Sequence, residues 1–520
     1  MSLSREISHL LLSDIVEGML KLLSKASIRT TFQSSSAVPT TIDTLPDDAL
    51  VLIFDFCRVG RNPLGSESPF HPVLEWHRLI HVCQRWRRII FSSPRRLDLH
   101  ILCTSGRPVR RNLGLWPTFP IIIDYVNYPG NSEIISTDDE LEDNLIAALD
   151  HPDRVRCLKL PVTSLLLGKV ATVAQQPFPI LTQLLLSSNK DEIVSVLPSS
   201  FLAGSAPLLQ EIHFEGIPFP TLPTFLSSTS DLVDLYLHRI PHTGYISPEA
   251  MVASLSTLPR LNFLHIAFQS HSSRPNQSGN GRRIAPIMRA VLPALTSFEF
   301  RGASEYLENL VAQIDAPRLT MFSIWFFNQL IFQVPQLFRF VSRTQILEQA
   351  PRMDAEVYCH QSLVYINLYH GPVERGQIPL DLQISCQGLD WQVSHLVAVL
   401  SQCSAILSKV GHLSIDAYDL QPSLRNDPDR MEWLELFHRF TAVQSLEVSA
   451  QLAGLVADVL DVTVEMALEL LPTLELLCLG DLSVRRVEAF ITARQVSGRP
   501  VTIANSLYDF LVQRESRFWR

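Results

Sequence analysis

A short apolar signature returns again and again from residue 155 onward, and it constrains this chain more than any other feature. An apolar residue is followed by two others, a second apolar residue, one other, and a third apolar residue. The signature reads VRCLKL at 155, LTQLLL at 181, LLQEIHF at 208, LVDLYL at 232, LNFLHI at 261 and LTSFEF at 295. It continues as LTMFSI at 319, LVYINL at 363, VGHLSI at 410, VQSLEV at 443 and LELLCL at 474. Alternate apolar residues make each copy a strand with one buried face. No single copy can cover that face alone, so neighbouring copies must stack and share a core. Pro259, Pro293, Pro317 and Pro472 stand just ahead of strands, where they stop a preceding helix or loop.

Most intervals are roughly 23 to 34 residues, inside or just above the leucine-rich-repeat range. The pattern resembles irregular leucine-rich repeats, although the Asn that usually follows the strand stands only at Asn189. The resemblance implies an α/β solenoid with a parallel sheet on its concave face. Candidate return helices lie at 248–258, 391–407 and 452–471. The rhythm loosens between 324 and 410, where 379–384 reads as a weaker copy.

Upstream, the sequence IDTLPDDALVLIFDFC begins at Ile42, and WHRLIHVCQRWRRIIFSSPRRL begins at Trp76. Asp43 or Thr44 can cap a helix, Pro46 suits its first turn, and Asp47 and Asp48 sit where the helix dipole favours anions. Ala49, Leu50, Ile53 and Phe54 fall on one stripe, as do Leu79, Val82, Cys83, Trp86, Ile89 and Ile90. Arg85, Arg87 and Arg88 lie on the other side of the second stripe. The stretch resembles an F-box, the motif that docks a substrate receptor onto the adaptor subunit of SCF ubiquitin ligases. Leu45-Pro46, the Leu50–Ile53–Phe54 run, and Val82-Cys83 followed by Trp86-Arg87 carry the resemblance. It implies adaptor contacts at Leu45, Pro46, Leu50, Ile53, Phe54, Leu79, Val82, Cys83 and Trp86, and a cullin beyond the adaptor. The Gly/Pro/Ser-rich loop at 58–72 is longer than the family's usual linker. The alternative is a helical hairpin that packs only on its own chain.

Four segments follow: a lead-in at 1–41, the F-box-like stretch at 42–97, a connecting and capping segment at 98–150, and the repeats at 151–520. Glu6, Asp14 and Glu17 interrupt any secretory core in the lead-in, and Thr30 to Thr41 is Ser/Thr-rich. No apolar run reaches transmembrane length, so a cytoplasmic or nuclear setting is expected. In the connecting segment, Leu97, Leu99 and Ile101 alternate, and 119–123 has strand composition. An acidic helix start then spans 136–140.

Hydrophobic residues make up 46% of the 520 and charged residues 18%, which suits a folded body. A net charge of −9 leaves no basic footprint for nucleic acid. The eight cysteines never form a CxxC pair, so free, mostly buried thiols in a reducing compartment are expected. GxSxG, HExxH and GxxxxGK[ST] are absent. Residues 279–283 (GNGRR) lack a preceding strand and read as surface loop. His77 and His81, one helical turn apart, lack a spaced ligand set with His71 or Cys83. No cofactor or metal is expected.

Two functional classes remain. One is a non-enzymatic substrate receptor for an SCF-type ligase; the other is a binding scaffold whose F-box is degenerate or serves a non-ligase assembly. In either, strand residues between the buried ones would face a protein partner. That alternation selects Glu211, His213, Glu215, Asp234, Tyr236, His238, His265, Glu299, Arg301 and Trp325. Tyr365 and Tyr369 extend the surface, and Lys159 lies toward its F-box end. Arg301 and Trp325 are the expected anchors, being residue types that make hot spots.

Overall fold

The computed structural model describes residues 45–58, 79–80, 82–93, 99–104, 109–116, 119–126, 139–189, 194–270, 289–346, 352–369, 378–386, 389–417, 430–480 and 484–504. Several expectations fall outside these residues. They are the lead-in, caps Asp43 and Thr44, the 59–72 loop, His71, His77 and His81, residues 136–138, and the 279–283 loop. The chain divides into two compact units with the border between Asp98 and Leu99.

In the first unit, helix α1 (Asp47–Arg58) opens with Asp47 and Asp48 in its first turn. The Leu50 N–H donates to the Pro46 carbonyl at 3.1 Å, which begins the helical ladder. Helix α2 (Gln84–Ser92) starts later than the apolar stripe suggests. Cys83 is its N-cap, with the thiol accepting from the Trp86 N–H at 3.4 Å. A sulfur is a weak acceptor, but it partners a helix-start N–H that has none within the helix. Arg85 ties the helices together, donating to the Asp47 carboxylate at 2.6 Å and the Leu45 carbonyl at 2.6 Å. The Phe54 and Trp86 rings meet at 4.9 Å, beside buried Leu50, Val51, Ile89 and Ile90.

The second unit is built on one sixteen-stranded sheet. Its earlier strands are β1 (Ile101–Cys103), β2 (Ile121–Asp124), β3 (Val155–Val162), β4 (Gln183–Ser188), β5 (Glu211–Glu215), β6 (Asp234–Ile240) and β7 (Phe263–Phe268). Then β8 (Ala290–Val291) and β10 (Ile314–Asp315) form a separate small pair around β9 (Ser297–Gly302), and β11 (Met321–Phe326) follows. The later strands are β12 (Met353–His360), β13 (Leu363–Tyr369), β14 (Leu380–Ser385), β15 (Val410–Ala417), β16 (Ser445–Val448), β17 (Leu476–Leu479) and β18 (Thr502–Ala504). From β1 through β11 every neighbour in the large sheet is parallel.

The register explains the repeat. Leu184, Ile212, Leu235, Leu264, Phe298 and Phe322 lie side by side across six strands, and all are buried. Leu186, Phe214, Leu237, Ile266, Phe300 and Ile324 form the next row. These are the second and third apolar positions of each copy. Local signals cap the returns: Thr163 accepts from the Leu166 N–H at the start of α3 (Ser164–Val173). Ser247 accepts from the Ala250 N–H at α4 (Pro248–Leu255), with Pro248 at its first turn. The returns expected at 391–407 and 452–471 are each split. The first becomes α5 (Leu389–Leu400) and α6 (Ser404–Leu407), the second α7 (Ala450–Leu460) and α8 (Val464–Glu469). Extended Thr463, the N-cap of α8, marks the second break.

One copy is reversed. The sheet order around it is β11-β14-β13-β12-β15. The copy at 363 is β13, which runs antiparallel to both β12 and β14. Only Gln361 and Ser362 separate β12 from β13, and so short a turn has no room for a parallel crossover. β12 itself carries no copy of the signature. The weaker copy at 379–384 is β14, parallel to β11.

Candidate functional site

Side chains that alternate with the buried rows populate the open face of the sheet. One lateral row reads Lys159, Leu185, His213, Tyr236, His265, Glu299, Ser323, Asp381, Asn367, Glu356 and Ser414. The next row contains Ala267, Arg301, Trp325, Gln383, Tyr365, Tyr358 and Asp416. Glu211 and Asp234 are paired one position earlier, and Glu215 lies opposite His238.

The middle of this face is a stack. Tyr236 lies between the imidazoles of His213 and His265, with centroid distances of 4.1 and 4.0 Å. His265 is pinned at both nitrogens, Nδ1 lying 2.7 Å from Glu299 Oε2 and Nε2 lying 3.1 Å from His238 Nδ1. His238 reaches that position through a bulge in β6. The register shifts between Leu237 and Ile240, so His238 and Arg239 together oppose Ala267. Arg239 adopts a left-handed φ of 52° there. Its guanidinium donates to the Ser188 carbonyl at 2.5 Å and Glu215 Oε1 at 3.2 Å. Beside it Gly216 takes φ +69°, and a Cβ at Gly216 would overlap Ser188 Oγ. The Gly216 N–H donates to the His238 carbonyl at 2.8 Å, so this glycine abuts the bulge.

Two strands away, the Arg301 guanidinium lies 4.0 Å above the Trp325 ring and 5.9 Å from the Phe327 ring. The Trp325 N–H donates to Ser385 Oγ at 2.7 Å, which fixes the indole beneath the cation. In the reversed block, Tyr358 and Tyr365 stack at 4.7 Å. Tyr369 O–H donates to Glu356 at 2.7 Å, while Ser323 and Gln383 both donate to Asp381 Oδ2.

Burial dominates the electrostatics. It lowers His213 and His238, and His265, Arg239 and Arg301 push His238 down further while Glu215 opposes them. Burial raises Tyr236 and Asp381, and it raises Tyr358 to about 12, assisted by Glu356. It also raises the thiols of Cys157, Cys359 and Cys403 to about 12, and those of Cys103 and Cys478 to about 11. Such thiols are protonated at neutral pH and inert as nucleophiles. Among the described residues no three His, Cys, Asp or Glu side chains gather to hold a metal, and no helix is long and apolar enough to cross a membrane.

The site expected from sequence is partly redrawn. His213, Tyr236, His238, Glu299, Arg301, Trp325 and Tyr365 are half-buried on the open face, but His265 and Tyr369 are buried. His265 is covered by its own stacking partners, and Tyr369 lies on the open-face side with its hydroxyl held by Glu356. Glu356, Tyr358, Asp381 and Gln383 join the face without having been singled out. The alternation Asp354, Glu356, Tyr358, His360 was the legible signal for β12. In the first unit, Leu50, Phe54 and Trp86 are buried in the hairpin and present no surface to an adaptor. Pro46 and Val82 are exposed, whereas Leu45, Ile53, Leu79 and Cys83 are half-buried. Leu52, 61% exposed, joins the surface set. It was missed because it falls off the stripe that aligns Leu50 with Phe54.

No family model and no curated protein matches the chain. Among solved structures, the leucine-rich-repeat-containing protein LegL7 from Legionella pneumophila is 13% identical, with a TM-score of 0.25. The match covers 66% of this chain and 97% of LegL7. An internalin (inlF) from Listeria monocytogenes is 11% identical, covering 70% of this chain and 82% of its own, with a TM-score of 0.28. Neither likeness carries weight at these scores; strand order and register define this chain as an irregular α/β repeat solenoid.

Proposed function

We propose that this chain is a non-enzymatic receptor whose open sheet face captures a protein and whose N-terminal hairpin docks on the adaptor of an SCF-type ubiquitin ligase. The observation that carries the capture half is the Arg301–Trp325 pair, a fixed cation on a fixed indole at the middle of a half-exposed face. Arg and Trp are enriched at binding hot spots, in well-packed and desolvated positions, and here the ring contact and the Ser385 hydrogen bond already hold both side chains. The docking half rests on the F-box resemblance and on the apolar residues Pro46, Leu52 and Val82 left at the hairpin surface. Burial of Leu50, Phe54 and Trp86 favours a second reading, in which the hairpin only packs within its own chain and the sheet face acts as a scaffold.

Affinity purification of the intact chain, followed by probing for adaptor and cullin, tests the docking half. Leu45→Ala combined with Pro46→Ala is expected to weaken adaptor recovery by about 2 kcal/mol or more while the repeat unit stays folded. Undiminished recovery by the folded variant would remove the ligase reading. For the face, Arg301→Ala with Trp325→Ala is expected to lose captured partners yet retain the adaptor. Retention of every partner would remove the face.

A further inference from the structure

Three carboxylates in the middle of the open face already have partners. Glu299 accepts from His265, Glu215 from Arg239, and Glu211 from Gln183. Arg301 is different. It makes no hydrogen bond or ion pair among the described residues, and its Nε is buried without an acceptor. Trp325 and Phe327 hold the guanidinium by ring contact, which leaves its hydrogen-bonding edge uncommitted. Arg301 lies opposite Ala267 on one side, and the β6 bulge sets His238 opposite Ala267 on the other. A methyl group is too short to separate the two side chains, and their charges act on each other. Resting on the capture reading above, we propose that Arg301 and His238 form a clamp for a carboxylate on an acidic segment of the captured protein, with His238 as its proton-dependent arm.

The hydrogen bonds assign the protons. A carboxylate only accepts, so His265 Nδ1–H donates to Glu299 and His265 Nε2 accepts from His238 Nδ1–H. His238 Nε2 is then the basic nitrogen of the chain. A proton taken from water there gives an imidazolium whose charge is offset through His265 by Glu299. The titratable and charged groups around it among the described residues are Tyr236 and Arg239 on β6, His213 and Glu215 on β5, His265 on β7, and Glu299 and Arg301 on β9. In the free protein, burial, His265, Arg239 and Arg301 hold His238 below its usual value, against the opposing pull of Glu215. A bound carboxylate cancels the Arg301 repulsion and favours the imidazolium. Binding therefore takes up a proton and strengthens as pH falls. An acidic segment also needs this local site, because the whole chain carries a net charge of −9.

The test is calorimetric titration of the intact chain with an octaglutamate peptide, with octalysine and a phosphoserine-bearing neutral peptide as the other arms. Octaglutamate is expected to bind about tenfold tighter near pH 6 than near pH 8. Arg301→Ala should weaken it about tenfold or more at both values, with Arg301→Lys recovering part of the loss. His238→Gln should flatten the pH dependence, removing the gain in affinity between about pH 8 and pH 6. Melting curves confirm that each variant is folded, and Arg301→Gln serves if the alanine variant is not. Absence of octaglutamate binding, equal binding by Arg301→Ala, preference for octalysine, or binding of the phosphopeptide alone would each overturn the clamp. If octaglutamate fails while Trp325→Ala still abolishes native partner capture, the clamp falls and the capturing face stands.

Discussion

The run from β3 to β11 and the block β12–β14 bury their strands equally well by different routes. In the run, strands follow one another in parallel, with the chain crossing back over the sheet each time. In the block, two strands are joined by a tight turn and the middle one is reversed. Val364, Ile366 and Leu368 of the reversed strand are nonetheless buried, and Tyr365 and Asn367 stay on the open-face side. A period-two pattern reads the same in both directions, so reversal preserves which face each residue occupies. Strand direction is decided by the connection, not by the strand.

That equivalence is open to a direct challenge. Phe298 stacks on Phe322 at 4.9 Å in the run, and Phe298→Ala is expected to cost about 3–5 kcal/mol in urea unfolding. Ile366→Ala in the reversed strand should cost about 2–5 kcal/mol, since it too is fully packed. A loss below about 1 kcal/mol at Ile366 would show that the block is not part of the same core.

A smaller effect is expected where the run departs from regular pairing. Gly216→Ala meets both an unfavourable φ and Ser188, and should destabilise by about 1–3 kcal/mol. The same variant should shift the β6 bulge, visible as changed imidazole resonances of His238 and His265. Unchanged stability would mean that the bulge tolerates a side chain beside it.

The smallest effect belongs to the block's buried carboxylate. Asp381 Oδ1 is buried without a partner, and burial raises the carboxyl above its usual value despite hydrogen bonds from Gln383 and Ser323. The native state then holds this proton more tightly than the unfolded chain, so the group's contribution improves as pH falls through the raised native value. Asp381→Asn should accordingly be more stable than the natural chain at neutral pH. The gap should shrink through the acid range as the wild-type carboxyl protonates. A gap that stays constant down to acid pH would place the effect in packing instead of charge.

The sequence by itself determined a good deal of this protein. The spacing of apolar residues located most strands of the large sheet, because burial on one face imposes period two whatever lies around it. The same alternation placed His213, Tyr236, His238, Glu299, Arg301 and Trp325 on one surface, and the described cysteines are free, all but half-buried Cys83 being buried. Tertiary structure decided what alternation cannot encode. It reversed β13, because a two-residue turn excludes a crossover. It buried His265 beneath neighbours that are distant in sequence, and it turned Leu50, Phe54 and Trp86 inward between two helices. It also made Arg239 a bulge residue, so that His238 reaches His265 and lies one alanine away from Arg301. Those outcomes depend on which strands become neighbours and in what register, and register is set by the whole stacked sheet rather than by any one segment.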